Sequence, residues 1–234
     1  MHAIILAGGF GTRLRSVIAD VCKPLAPIAG KPFLAWLIKA LIAKGVTSVT
    51  LSVHYQWEMI RDYFDRYPVP IPLTWATEAS PLGTGGAIVH ALRQHNDTSP
   101  VLVLNGDTYA DIDYQPMFDT HAIQNALLTM ALLHMPDTER YGTIKVEKGY
   151  VVSFGPGAKG REGYINAGVY IVSPQLFAGG AFPETFSFEK DFLPSQLAIL
   201  RPRAVITDSY FIDIGVPEDY ARACRELPER IALL

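Results

Sequence analysis

Cysteine is scarce: Cys22 and Cys224 are the only 2 in 234 residues, far apart and in no metal-ligand spacing. That excludes a disulfide framework and makes a reduced, cytoplasmic setting the expectation. Charge is also sparse, 18% against 49% apolar residues, which excludes intrinsic disorder. No apolar run approaches the roughly 18 residues of a membrane span. The opening run Ala3–Ala7 is too short for a signal-peptide core. With 20 basic against 23 acidic residues there is no positive excess to draw nucleic acid, and neither nucleic acid nor a membrane is an expected partner. The 6 histidines are scattered without paired spacing, so no zinc site is expected. What remains is a globular chain long enough to bury a core without staples, whose function must come from local sites.

Short apolar runs alternate with amphipathic stretches through the first two thirds of the chain. Ala3–Ala7, Val49–Val53, Leu73–Ala76 and Val101–Leu104 read as strands; Phe33–Ala43, Trp57–Tyr67 and Gly85–Arg93 read as helices, with Gly45 as a stop. Uninterrupted branched aliphatics suit strands covered on both faces, as in a parallel sheet. After Asp107 the runs Leu127–Leu133, Gly142–Val146, Val151–Phe154 and Ile165–Val172 follow with little helix between them. Helices return at Glu189–Leu200 and Glu218–Leu227, with a strand at Tyr210–Ile214. The expectation is an α/β fold: a doubly wound, Rossmann-like, mainly parallel mixed sheet flanked by helices, with a smaller mixed-sheet region. One domain over 1–234 is expected, in two parts, 1–110 and 111–234. Four glycines between Gly155 and Gly163 mark the expected mobile loop.

The strongest local signal is Leu6-Ala7-Gly8-Gly9-Phe10-Gly11-Thr12-Arg13-Leu14, directly after the first strand. Glycines let a backbone turn sharply and approach a ligand closely, and successive N–H groups in such a turn cradle phosphate oxygens. No Gly-Lys-Ser/Thr closes the segment, so it is not a P-loop. Leu14 stands where a dinucleotide fingerprint needs its third glycine, and the second strand ends in Val53-His54 with no acid for a ribose. A plain strand-to-helix turn is the bland alternative; Arg13, with five fixed donors, argues against it. Two Lys-Pro pairs, Lys23-Pro24 and Lys31-Pro32, then predict a stiff, extended segment that presents Lys23 as a point charge.

Gly8-Gly9-Phe10-Gly11-Thr12-Arg13-Leu14, followed by Lys23-Pro24-Leu25-Ala26-Pro27-Ile28-Ala29-Gly30-Lys31-Pro32, resembles the signature of the sugar-1-phosphate nucleotidyltransferases. The resemblance continues in Glu78-Ala79-Ser80-Pro81-Leu82-Gly83-Thr84-Gly85-Gly86, Asn105-Gly106-Asp107, Ile165-Asn166-Ala167-Gly168-Val169-Tyr170 and Phe211-Ile212-Asp213-Ile214-Gly215-Val216-Pro217-Glu218-Asp219. It implies the nucleotide-diphospho-sugar transferase fold and attack by a sugar 1-phosphate oxygen on the α-phosphorus of a nucleoside triphosphate. Arg13 is then implied at the β- and γ-phosphates and Lys23 at the α-phosphate. Leu6, Ala7, Gly8, Gly9, Gly11, Thr12, Glu78, Gly83 and Thr84 are the implied nucleotide contacts. Asp107 and Asp213 are implied ligands of Mg²⁺, and Gly142, Lys159, Asn166 and Glu189 the sugar-side residues.

Glu78 carries further chemical information. An ionised carboxylate only accepts hydrogen bonds, which suits the two adjacent donors of guanine and repels pyrimidine carbonyls, so GTP is the expected nucleotide; base reading by the backbone around Gly83–Gly86 is the alternative. The family's Glu-Lys-Pro motif is missing, and Lys159 is the nearest substitute for its lysine. Glu189-Lys190-Asp191 reads equally as acids stabilising a helix N-terminus. Short length, Pro-Leu-Gly-Thr-Gly-Gly and the lost Glu-Lys-Pro most resemble the heptose 1-phosphate guanylyltransferases. A mannose-1-phosphate guanylyltransferase, a uridylyltransferase and a non-catalytic nucleotide-sugar sensor are the alternatives, and a homodimer is compatible with the sequence.

Overall fold

The computed structural model describes residues 1–9, 22–95, 97–180 and 182–234. In chain order these form β1 (His2–Leu6), β2 (Pro27–Ile28), β3 (Lys31–Pro32), α1 (Phe33–Ala43), β4 (Ser48–Val53), α2 (Trp57–Arg66) and β5 (Leu73–Thr77). Then come α3 (Gly83–Gln94), β6 (Val101–Asn105), β7 (Thr108–Ala110), α4 (Gln115–Ile123), β8 (Leu128–Met135), β9 (Thr143–Glu147) and β10 (Tyr150–Gly155). The chain closes with β11 (Gly163–Val172), α5 (Leu193–Leu200), β12 (Arg203–Thr207), β13 (Phe211–Asp213) and α6 (Pro217–Ala232). Among the described residues no helix is long and apolar enough to cross a membrane.

Two compact units result, each assembled from separate stretches. The first is Met1–Pro81, Leu104–Tyr109 and Phe211–Leu234; the second is Leu82–Val103 and Ala110–Tyr210. These compact units follow bounds other than those of the expected parts 1–110 and 111–234. Helix α3 belongs to the second unit because its glycines seat it there: a Cβ on Gly85 would lie 2.1 Å from the Phe186 ring, and one on Gly86 would lie 2.4 Å from the Glu184 carbonyl.

In the first unit β1 pairs in parallel with β4, and β4 with β5. Ala3, Ile4 and Ile5 are fully buried, as the unbroken apolar run predicts for a strand covered on both faces. Helix α1 spans the predicted residues and buries Phe33, Leu34, Leu37, Ile38 and Leu41. It ends in a Schellman turn: Gly45 sits at φ +85 and donates to the Ile42 carbonyl, while Val46 donates to that of Leu41. The Lys-Pro segment departs from expectation. Lys23–Leu25 is a 3-10 turn, and β2 and β3 form a minimal hairpin through Ala29 (φ +46) and Gly30 (φ +78). Proline fixes φ near the helical value as readily as near the extended one, so rigidity alone did not specify an extended path.

The second unit holds strands in the order β11-β8-β12-β10-β9. Strand β8 is buried from Leu128 to Leu133 and lies antiparallel to β11 and parallel to β12. Strand β12 and helix α4 escape the sequence reading. The first is only half-buried and its apolar run, Ala204–Ile206, is three residues long. The second buries just Met117 and His121, so it carries no amphipathic stripe. Nor is the Gly155–Gly163 segment loose. Thr138 Oγ donates to the Arg161 carbonyl at 3.0 Å, Gly160 N–H donates to Asp137 Oδ2 at 3.1 Å, and a Cβ on Gly157 would lie 1.8 Å from the Thr138 carbonyl. Gly157 permits close backbone approach, while Gly160 supplies a left-handed turn position at φ +64.

Candidate active site

Strands β1, β4 and β5 end side by side, and a polar cluster forms at those ends. The Ala7 N–H donates to the Ser52 carbonyl at 2.8 Å, and Gly106 N–H donates to the Leu6 carbonyl at 2.9 Å. A Cβ on Gly106 would stand 2.6 Å from that carbonyl, so glycine is required where Asn105-Gly106-Asp107 crosses the first strand's end. Glu78 is anchored on three sides. Its N–H donates to the Val53 carbonyl, its carbonyl accepts from His54 Nδ1, and its carboxylate accepts from the Ser52 hydroxyl at 3.0 Å. Gly8 lies against it, an added Cβ being 3.3 Å from Glu78 Oε1, while Gly9 faces open space. Leu6, Ala7, Gly8, Gly9 and Glu78 are thus neighbours, as the sequence reading groups them. Gly11, Thr12 and Arg13 lie outside the described residues.

A charged cluster occupies the same unit. Lys23, buried in its 3-10 turn, bonds through Nζ to Asp107 Oδ2 and lies 3.7 Å from Asp213 Oδ1. Three stretches of sequence, at residues 23, 107 and 213, meet here. Asp107 follows β6 and its carbonyl accepts from Ile214 N–H at 3.0 Å, which ties the two aspartates' loops together. Asp213 Oδ1 also accepts from Gly215 N–H at 2.7 Å. Gly215 was not singled out from sequence, yet a Cβ there would stand 2.7 Å from Asp213 Oδ1 and 2.9 Å from Lys23 Nζ. Two carboxylates around one ammonium give hard oxygen donors on one side and a phosphate-seeking cation on the other. No group of three or more His, Cys, Asp or Glu gathers among the described residues, so a cation held here needs further oxygens from elsewhere.

The second unit carries its own polar chain. Strand β11 bulges between Asn166 and Tyr170, with Gly168 at φ +68 and its N–H on Asn166 Oδ1 at 3.0 Å. The bulge turns Asn166 so that its Nδ2 donates to the Tyr170 hydroxyl at 2.6 Å. That hydroxyl donates to Glu189 Oε1 at 3.3 Å, and Thr84 Oγ donates to Glu189 Oε2 at 2.7 Å. Thr84 Oγ in turn accepts from Phe188 N–H at 2.8 Å. Full burial, with the Glu189 charge beside it, holds the Tyr170 hydroxyl well above its ordinary pKa, so it stays a donor. Tyr170 was missed as a site residue because, inside an apolar strand, a tyrosine reads as core.

Asn166 and Glu189 therefore come together, and Thr84, expected among the nucleotide contacts, hydrogen-bonds to Glu189. Gly83 is committed to packing: at φ +69, its added Cβ would meet the Phe186 carbonyl at 2.5 Å. The cluster at 189–191 divides its labour. Asp191 caps the turn by accepting from Ser187 N–H at 2.7 Å while Ser187 Oγ accepts from Lys190 N–H, which frees Glu189 to face Thr84 and Tyr170. Gly142 and Lys159 are both exposed and show no described contact with Asn166 or Glu189. Lys159 sits near Asp137, whose carboxyl is held below its usual range by the Glu139 and Gly160 N–H groups and then by that lysine.

Comparison with known proteins matches residues 2–230 to the nucleotidyl transferase family. The chain is 43% identical over 231 residues to the D-glycero-alpha-D-manno-heptose 1-phosphate guanylyltransferase of Aneurinibacillus thermoaerophilus, covering 99% of this chain and 100% of that one. The crystal structure of HddC from Yersinia pseudotuberculosis superposes with a TM-score of 0.87 at 38% identity, over 96% of this chain and 98% of that chain. The same protein complexed with GMP-PN superposes at 0.85 and 37% identity, with the same coverage. The expected fold class, a mixed and mainly parallel sheet flanked by helices, is borne out by these neighbours. Matched along nearly its whole length in sequence and in structure, the chain belongs to the nucleotidyl transferase family.

Proposed function

We propose that the chain is a guanylyltransferase that joins D-glycero-α-D-manno-heptose 1-phosphate to GTP, giving GDP-heptose and pyrophosphate. The observation that carries this reading is the 43% identity, end to end, with a relative of that name. Both substrates are anions, so the enzyme's main tasks are neutralising charge and aligning the attacking oxygen with the α-phosphorus. Lys23, on its 3-10 turn, serves the α-phosphate; Arg13, in the glycine-rich segment of the sequence, serves the departing pyrophosphate. Glu78, oriented by Ser52, accepts from guanine N1–H and the 2-amino group. Asn166 and Glu189, cross-braced through Tyr170 and Thr84, present an amide and a carboxylate suited to sugar hydroxyls.

Asp107 and Asp213 would hold the Mg²⁺ ion. Two carboxylates completed by phosphate oxygens and water match its preference for oxygen ligands and its reluctance to dehydrate. When bound, the ion supplies charge neutralisation at the phosphates. The reading places the protein in the cytoplasm, where nucleoside triphosphates are available.

Pyrophosphate release, measured for each nucleoside triphosphate against heptose, mannose and glucose 1-phosphates, tests the proposal. The highest kcat/KM is expected for GTP with the heptose. Faster turnover of mannose 1-phosphate overturns the sugar, faster turnover of UTP overturns the base, and no turnover with any pair leaves a sensor on the same fold.

A further inference from the structure

Lys23 is 9% exposed, so its ammonium needs acceptors from the protein or from a ligand. Here it takes them from the two aspartates, bonding to Asp107 Oδ2 and lying 3.7 Å from Asp213 Oδ1. The placement is built in rather than incidental. The missing Cβ of Gly215 leaves the space beside Nζ, 2.9 Å away, and Gly215 N–H fixes Asp213 Oδ1 at 2.7 Å on the lysine's side. A second cation approaching the same oxygens meets a like charge at close range, in surroundings where buried charges interact more strongly than in water.

We propose that Lys23 is a resident counter-ion that keeps a divalent cation off Asp107 and Asp213 until nucleotide phosphates draw the ammonium away. The lysine then has two successive partners, carboxylates first and phosphate second, and the cation site is completed only when nucleotide arrives. The inference rests on the reading of Asp107 and Asp213 as cation ligands. It adds an order of binding that this reading alone does not contain.

Binding of Mn²⁺ to the full-length protein without nucleotide, followed by loss of the free-ion electron paramagnetic resonance signal, tests it. Wild-type protein is expected to take up Mn²⁺ weakly. Lys23→Met is expected to bind it about ten- to a hundredfold more tightly, because one unit of repulsion a few ångströms from the ion is gone. Lys23→Arg, which keeps the charge, should stay weak. Adding Asp213→Asn to Lys23→Met should abolish the gain. Wild-type uptake as tight as that of a folded Lys23→Met overturns the proposal, and so does the absence of uptake by both. The wild-type measurement alone suffices where the variant fails to fold, since tight uptake by unmodified protein is incompatible with exclusion. Uptake that persists when Asp213→Asn is added overturns instead the assignment of the aspartates as ligands.

Discussion

Substituting Gly215 by alanine adds one methyl group where the charged cluster leaves no room. The new Cβ would stand 2.7 Å from Asp213 Oδ1 and 2.9 Å from Lys23 Nζ, so at least one of them must move. The lysine can swing, but Asp213 is held from behind by the Gly215 N–H at 2.7 Å, and shifting the backbone loosens that bond. Loss of one well-aligned bond to a charged group costs about 1.5–3 kcal/mol. If the cost falls on the transition state alone, kcat/KM drops roughly ten- to 150-fold. Stability should fall by no more than about the 1.5–3 kcal/mol of that bond, with part of the loss offset. Gly215 is outside the left-handed region, so alanine fits its backbone and removes entropy from the unfolded chain. The assay is pyrophosphate release from GTP and heptose 1-phosphate, run beside thermal unfolding of the same preparation. Full activity in a folded Gly215→Ala variant refutes the claim that Lys23 and Asp213 work in the geometry seen here. A collapse of Tm with proportional loss of activity refutes the separation of function from stability.

Glu78→Gln exchanges an acceptor-only group for one that also donates, and should lower the preference for GTP over UTP by roughly tenfold or more; Ser52→Ala, which releases Oε1, should do so more weakly. Unchanged selectivity in both assigns base reading elsewhere. Burial pushes the His121 ring down to about 4, between the Thr129 and Ser173 hydroxyls. The unfolded chain therefore binds more protons between that value and the ordinary 6.5. Stability is complete above the upper limit and falls as pH drops toward the lower one, by up to about 3 kcal/mol. Urea unfolding across that range should show the slope in wild type and lose most of it in His121→Gln. Gly157→Ala places a Cβ 1.8 Å from the Thr138 carbonyl; it should lower Tm by several degrees, and an unchanged Tm contradicts the tight tie of that loop.

Features written in consecutive residues were legible in the sequence, whereas features made by pairing were not. Helix α1 and its glycine stop announce themselves through apolar spacing and one left-handed position. The grouping of Gly8 with Glu78 followed from motifs, but the anchor of Glu78 did not. Ser52 reaches it across β4 and β5, whose parallel register aligns Val53 with Thr77, a relation no local pattern encodes. The tie of Thr84 to Glu189 was hidden for a related reason: the two residues pair across 105 positions of sequence, and the glycines around Thr84 also serve close packing against Phe186. Tyr170 and Gly215 share a different obscurity. One is polar only at the tip of an apolar ring, and the other acts by an atom it does not have.

The first unit's charged cluster draws on residues 23, 107 and 213, and the segment that supplies Asp213 also brings α6. During translation, at about 5–20 residues per second, every residue of the second unit leaves the ribosome before that segment does. A nascent chain holding Lys23 and Asp107 without Asp213 has an incomplete cluster, so competence waits until the second unit has been made. Truncations that remove the last helix and its preceding strand should silence the protein even though the second unit's sequence is untouched.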